Sequence, residues 1–252
     1  MKLSRYGGLQ RMKVVSAAAL TLSGTFAAFT IGAGSAAAAK SMTTIDVGIA
    51  LSPPKAVFFA PYVAQSLGFF HKEGLNVHLI SMPNGLGTEL GTASGSINFG
   101  LSSATDSVEA AAAGAPIHAI ASYGTTLDTV CVAAPGFSTA AELKGQPVGT
   151  TGAGGFAGTT LAACLQPLGL TLSDVQPIVM TRSQFPGAMA SGAIKIAAFH
   201  ADDAYVMLHS LAGTTIIDKE YQTLPNWWYG GIASLDSYTK AHPLVTEHFL
   251  AA

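Results

Sequence analysis

Short apolar blocks alternate with polar, glycine-rich ones along the chain. Ile45 to Ala50 is apolar and β-branched, which predicts a strand. A turn at Ser52-Pro53-Pro54 follows. A helix carried by Tyr62, Ala64 and Leu67 comes next, with Pro61 in its first turn, where a missing N–H is tolerated. Gly68 to Val77 (GFFHKEGLNV) turns the chain into a second strand, Val77 to Met82. The glycine-rich loop Asn84 to Gly87 opens a helix that closes at Ala93-Ser94-Gly95, because glycine reaches the left-handed cap cheaply. Ile97 to Leu101 predicts a third, buried strand. Ser103 reads as the N-cap of a helix over Thr105 to Ala113, with Asp106 three residues on closing a capping box. Gly114 stops that helix, and Ile117 to Tyr123 predicts a fourth strand. Strands and helices alternating this regularly predict parallel sheets.

The pattern then repeats. ASGSINFGLSSATD at 93–106 returns as ASGAIKIAAFHADD at 190–203, displaced by 97 residues. VGI at 47–49 matches VGT at 148–150, and Leu67-Gly68 matches Leu168-Gly169. Val77, Ile80 and Met82 align with Val175, Ile178 and Met180, so these offsets run from 98 to 101. The order is kept while the loops drift, which predicts two similar α/β lobes. In the second copy, Thr139 with Glu142 forms a capping box and Pro147 to Thr150 a strand. The loop Thr151 to Gly158 then leads into a helix to Leu168. Val175 to Met180, a helix near Gln184 to Ser191, and Ile194 to Phe199 complete the echo. Residues 124–128 and the aromatic stretch 225–230 (PNWWYG) are predicted crossings. They divide the chain into lobe I over 45–123, lobe II over 129–224, and a return to lobe I over 225–252.

Composition changes the picture at the N-terminus. The first 39 residues hold Lys2, Arg5, Arg11 and Lys13, no acid, and a long apolar run from Val14 to Ile31, ending in Ala37-Ala38-Ala39. This is the pattern of a cleavable secretory signal, with a retained anchor as the competing reading. No cysteine stands near the cleavage site, so no lipid anchor is expected, and the predicted location is periplasmic. Removing these residues leaves 8 Lys+Arg against 14 Asp+Glu, a net charge of −6. That acidity argues against a nucleic-acid partner. Export permits a disulfide between Cys131 and Cys164. Both cysteines sit in apolar runs, however, where buried free thiols are common, and free thiols are the expectation.

In open α/β sheets ligands bind beyond the carboxyl ends of the strands. Four loops answer to that: Ser52 to Phe59, Ser102 to Thr105, Thr151 to Gly158 and His200 to Asp202. Ser103 and Gly155 each open a helix whose free N–H groups attract anions or polar oxygens. Gly154 and Gly155 allow close backbone approach. Phe58, Phe59, Phe156 and Trp228 are candidate apolar walls, and aromatic crossings also simply pack between lobes. Gly152-Ala-Gly154-Gly-Phe-Ala157 imitates a dinucleotide fingerprint, with Asp174 lying 20 residues beyond Gly154. Asp174 precedes the second strand of its lobe and cannot reach a ribose at the carboxyl edge, so no cofactor is expected. No phosphate-binding loop, nucleophile elbow or metal-ligand set appears. His200 with Asp202 is the one cleft-side pair suited to binding or acid–base work.

These residues carry a family likeness. APYVAQSLGFFHKEGLNV, ASGSINFGLSSATDSVEAAAAGAPIHAIAS, AAELKGQPVGTTGAGGFAG and ASGAIKIAAF occur in order over residues 45 to 235. They resemble the solute-binding proteins of ABC importers in the nitrate/sulfonate/taurine group, also described as NMT1/THI5-like. The resemblance implies an α/β fold of the two-lobed periplasmic-binding-protein kind (type II-like), with a ligand cleft between the lobes. It implies hinge closure on a small nutrient of the nitrate, sulfonate, taurine or pyrimidine-precursor type, and delivery to an ABC permease by a monomer that is not an enzyme. By matching motif, ligand contacts fall near Phe58, Phe59, Ser103, Thr105, Gly155, Phe156 and His200. The cleft loops and the aromatic crossing add Ser102, Gly154, Asp202 and Trp228. Two departures stand out. Family members continue with helices over the first lobe, whereas this chain stops at Ala252 inside a helix, as a fragment would. The pyrimidine-precursor synthases share the fold and use a histidine, which makes an enzyme built on His200 the alternative. The lone arginine beyond residue 39, Arg182, argues against a multiply charged anion held by guanidinium clamps.

Overall fold

The computed structural model describes residues 41–51 and 55–252. The predicted export segment and the Ser52-Pro53-Pro54 turn lie outside the described residues. The strands are β1 (Thr43–Ala50), β2 (Leu75–Met82), β3 (Phe99–Ser103), β4 (Ile117–Gly124), β5 (Thr129–Ala133), β6 (Pro147–Thr150), β7 (Gln176–Val179), β8 (Ile196–His200), β9 (Thr215–Asp218) and β10 (Gly230–Leu235). They form two five-stranded sheets with the same plan, β2-β1-β3-β10-β4 and β7-β6-β8-β5-β9. The first three strands of each sheet are parallel.

The fourth strand of each sheet runs the other way, which corrects the prediction of parallel sheets. β10 pairs antiparallel with β3 and β4, and β5 pairs antiparallel with β8 and β9. A parallel neighbour needs a crossover of a dozen or more residues. Only the loop 125–128 separates β4 from β5, and β10 likewise returns from the other lobe through the loop before Gly230. Each therefore arrives from the cleft side and pairs head-on. The first sheet thus takes one strand, β10, from beyond lobe II, whereas β5 to β9 follow one another along the chain.

The sequence echo has a packing cause. A Cβ placed on Gly48 of β1 would stand 2.3 Å from Ile97 Cδ1, and one on Gly149 of β6 would stand 2.6 Å from Ile194 Cδ1. Each lobe presses the isoleucine of its ASG-x-I turn onto a bare glycine in its central strand. The turn glycines, Gly95 and Gly192, both hold the left-handed conformation, at φ +74° and +77°. This also shifts the predicted third strand. Ile97 fills the space over Gly48 rather than pairing, and β3 begins at Phe99, where it meets Val47.

Lobe I is packed around Ile45, Val47, Ile49, Phe58 and Phe99. Phe249, from the helix Pro243–Ala251, stacks on Phe99 at 4.3 Å and on Phe70 at 5.8 Å. Two helices, Asp236–Ala241 and Pro243–Ala251, follow β10, because Pro243 cannot continue the first. Lobe II buries Phe185, Met189, Ile194 and Phe199 on one face of its sheet and Leu143, Val148, Leu161 and Leu165 on the other. In that second layer Cys131 and Cys164 form a disulfide, with Cα atoms 5.4 Å apart. The expectation of free thiols is corrected: β5 lies flat against the helix Gly155–Leu165, and the two side chains face each other at bonding range. Among the described residues no helix is long and apolar enough to cross a membrane.

Candidate functional site

β3 and β8 end at Ser103 and His200, and each feeds directly into a helix, Ala104–Ala112 and Ala201–Ser210. With the loop before the helix Gly155–Leu165 and the loop opening the helix Gly85–Ser94, these ends converge where the lobes meet. Ser103 caps its helix as predicted, its Oγ accepting from Asp106 N at 3.1 Å. Asp106 does not close the box onto the Ser103 amide. Its Oδ2 accepts from Ser103 Oγ at 2.6 Å, and its Oδ1 crosses the cleft to accept from Phe156 N at 3.0 Å. Glu109, one turn on, accepts from Gly155 N at 2.8 Å. Two amides at the start of the Gly155–Leu165 helix are therefore held by carboxylates of the opposite lobe.

The glycines make this approach feasible. A Cβ on Gly155 would sit 2.1 Å from Asp106 Oδ1, and a Cβ on Gly85 would sit 1.8 Å from Asp106 Oδ2. The Asp106 carboxylate is clasped between two bare backbones, one from each lobe. Burial, opposed by bonds from Ser103 and Phe156, raises its pKa above the ordinary carboxylate value. Behind it, Glu89 is buried and accepts from Ser107 Oγ at 2.7 Å and from Ser102 Oγ, and burial raises its pKa too. A second bridge spans the lobes at Lys55 and Asp203, 2.7 Å apart.

A cavity of about 40 Å³ remains beside this contact, room for a few water-sized groups. Phe58, Asn84, Ser103 and Asp106 line it from lobe I, Thr151, Gly154, Phe156 and Arg182 from lobe II, and Tyr229 from the return crossing. Arg182 is 5% exposed; its Nη1 donates to Ala198 O at 2.9 Å, and its Nε has no partner. Burial pulls its pKa below the ordinary guanidinium value. Tyr229 meets Phe156 edge-on at 5.2 Å, and Phe58 meets Tyr123 at 5.7 Å, forming an aromatic wall behind the cavity.

Of the predicted site residues, Phe58, Ser103, Gly154 and Phe156 line the cavity, and Gly155 stands beside it through its amide bond to Glu109. Ser102 is buried behind it against Glu89, and Thr105 is half-buried in the following helix. Phe59 is 51% exposed on the outer side of its helix, Trp228 is 38% exposed with Nε1 donating to Ser122 Oγ at 2.7 Å, and Asp202 is exposed. His200 is fully buried. It pairs with Asp128, Nδ1 to Oδ1 at 2.8 Å, rather than with Asp202, and its Nε2 has no partner. Burial first, then Arg182, lowers its pKa, so the ring stays neutral behind Phe156 and Tyr229 and does not line the cavity. Sequence reasoning missed Asp106 as a cleft group, and Glu109, Arg182 and Tyr229 with it. The usable signals were the solitary arginine and a helix carrying two acids on successive turns. Among the described residues no group of three metal-binding side chains is present.

Two α/β lobes joined by two crossings, with a cavity lined from both, define the class: a binding-protein fold with its cleft between the lobes. The family model described as NMT1/THI5 like matches residues 55–252, and the chain belongs to that family. No curated protein matches the sequence. Among solved structures the chain is similar to the alkanesulfonate-binding protein SsuA from Xanthomonas axonopodis, bound to MOPS. Identity is 18% and the TM-score 0.67, covering 82% of this chain and 71% of that one. It is similar to the periplasmic nitrate-binding protein NrtA from Synechocystis at 16% identity and a TM-score of 0.66, covering 83% of this chain and 60% of that one. It is also similar to PhnD1 from Prochlorococcus marinus in complex with methylphosphonate, at 11% identity and a TM-score of 0.63, covering 82% and 83%.

Proposed function

We propose that this protein is an extracytoplasmic solute-binding protein. It captures a small solute between its lobes and hands it to an ABC permease. One observation carries the reading: a cavity at the carboxyl ends of both sheets is lined by side chains from each lobe, with a buried, incompletely paired guanidinium on its wall. Family membership and the binding proteins of like fold, whose ligands are a sulfonate, nitrate and a phosphonate, support it. The predicted N-terminal export segment supports a periplasmic location. Lobe opening pivots on the two crossings, at 125–128 and at the loop before Gly230, since these alone link the sheets along the chain. The test is a thermal-shift screen of small nutrients on the exported protein. A true ligand at one hundred times its Kd adds about 2.7 kcal/mol of stability. A screen across anions, amines and heterocycles in which nothing moves the melting temperature refutes the reading.

A further inference from the structure

The amides that open the Gly155–Leu165 helix are the place in this cleft where a free oxyanion would sit. They carry the positive end of an eleven-residue helix, and Arg182, 95% buried with Nε unpartnered, lines the same cavity. The protein fills that seat itself. Asp106 holds Phe156 N and Glu109 holds Gly155 N. Separating the lobes exposes two unlike faces, carboxylates on lobe I and amides with a guanidinium on lobe II. A solute entering between them must offer donor hydrogens to the first face. An oxyanion satisfies the second face and meets like charge on the first, a juxtaposition that interfaces use to reject wrong partners.

We propose that Asp106 and Glu109 are the specificity-determining residues of this cleft. They occupy the anion seat from within, so small free oxyanions are refused and the solute taken is one that brings a protonated nitrogen to the two carboxylates. The proposal rests on the solute-binding reading and narrows it. It also separates this chain from its structural neighbours, whose reported ligands are a sulfonate, nitrate and a phosphonate.

The test is titration calorimetry on the full chain and on the Asp106→Asn/Glu109→Gln variant, with methanesulfonate, nitrate and a panel of primary amines and amino acids. The wild type should respond to members of the amine panel and not to the oxyanions. The variant should lose the amine response and gain at least about tenfold in methanesulfonate affinity. Should the double variant fail to fold, Glu109→Gln alone serves, because Glu109 is exposed. That variant should shift the Gly155 amide resonance and still improve methanesulfonate binding. Wild-type binding of methanesulfonate or nitrate as tight as the variant's overturns this inference and leaves solute binding standing. A variant that gains nothing overturns it as well. Silence of both proteins toward every probe overturns this inference, and the solute-binding reading then stands or falls on the thermal-shift screen.

Discussion

The Cys131–Cys164 bond ties the antiparallel strand β5 to the helix whose first amides face the cleft, so its removal is the sharpest test of how that helix is held. Replacing both cysteines by alanine reopens a loop whose ends are 33 residues apart. In the chain-entropy account, closing a loop of that length stabilises the fold by about 3.7 kcal/mol. For a chain of this size that is a fall of roughly 7 to 15 °C in melting temperature. Both sulfurs are fully buried beneath Leu143, Leu161 and Leu165, so the alanine variant also loses some packing, and the entropic figure is a floor. Equilibrium denaturation with and without a reductant is the assay. Wild type treated with reductant in native buffer should stay oxidised, because no thiol can reach the bond until lobe II opens. Added at the denaturation midpoint, the reductant should bring wild type close to the variant. A variant within about 1 kcal/mol of wild type, or wild type reduced readily under native conditions, refutes the argument.

Glu220 gives a pH signature. Burial, partly offset by the Thr129 hydroxyl bond, raises its pKa to about 7, so the folded state holds a proton that the unfolded chain releases near 4.5. Its contribution is fully present below pH 4.5 and is lost as pH rises toward and through 7, a fall of about 3 kcal/mol. Glu220→Gln should therefore be more stable than wild type at pH 8 and lose that slope; parallel stability curves for the two proteins between pH 5 and 8 refute it. The glycine seats give a coupling test. Gly48→Ala and Gly149→Ala should each cost about 1–3 kcal/mol by overpacking, and Ile97→Val or Ile194→Val, which deletes the Cδ1 that clashes, should recover most of it in the matching background. Additive double mutants refute that pairing.

Much of this fold was legible because its punctuation is strong. Gly95 and Gly192 close helices in the left-handed conformation, and Thr139 with Glu142 forms the capping box its spacing predicts. Strand direction was not legible. β5 (TVCVA) and β10 (GGIASL) read as apolar runs whichever way they pair, and nothing in a period of two encodes polarity relative to a neighbour. The cleft was half legible. Ser103, Gly154 and Phe156 follow from the rule that loops at strand ends face the ligand. Asp106 was visible too, as a cap, but a cap residue has two carboxylate oxygens, and the sequence says nothing of where the second one points. Phe59 and Trp228 look like ligand walls by type, but Phe59 is exposed at the start of its helix and Trp228 is exposed in the loop before β10.

The two antiparallel strands bear on how such a molecule closes. Without β10, β3 and β4 would be unpaired neighbours; without β5, β8 and β9 would be. The first sheet is therefore completed only by β10, from beyond lobe II, while β5 to β9 make up the second from one contiguous stretch. Both antiparallel strands also begin at the cleft. Thr129 pairs with His200, which Asp128 holds, and Tyr229, immediately before β10, accepts from Ala104 N at 2.7 Å. Leu127, Phe156 and Tyr229 bury one another at this point. The two links between the lobes are thus seated in an apolar cluster rather than strung across solvent. In the closure we propose, the lobes turn about that cluster and the Asp106 and Glu109 contacts form at the mouth. Phe156 belongs to both, its ring in that cluster and its amide on Asp106, so the closure we propose couples the hinge directly to the carboxylate contacts.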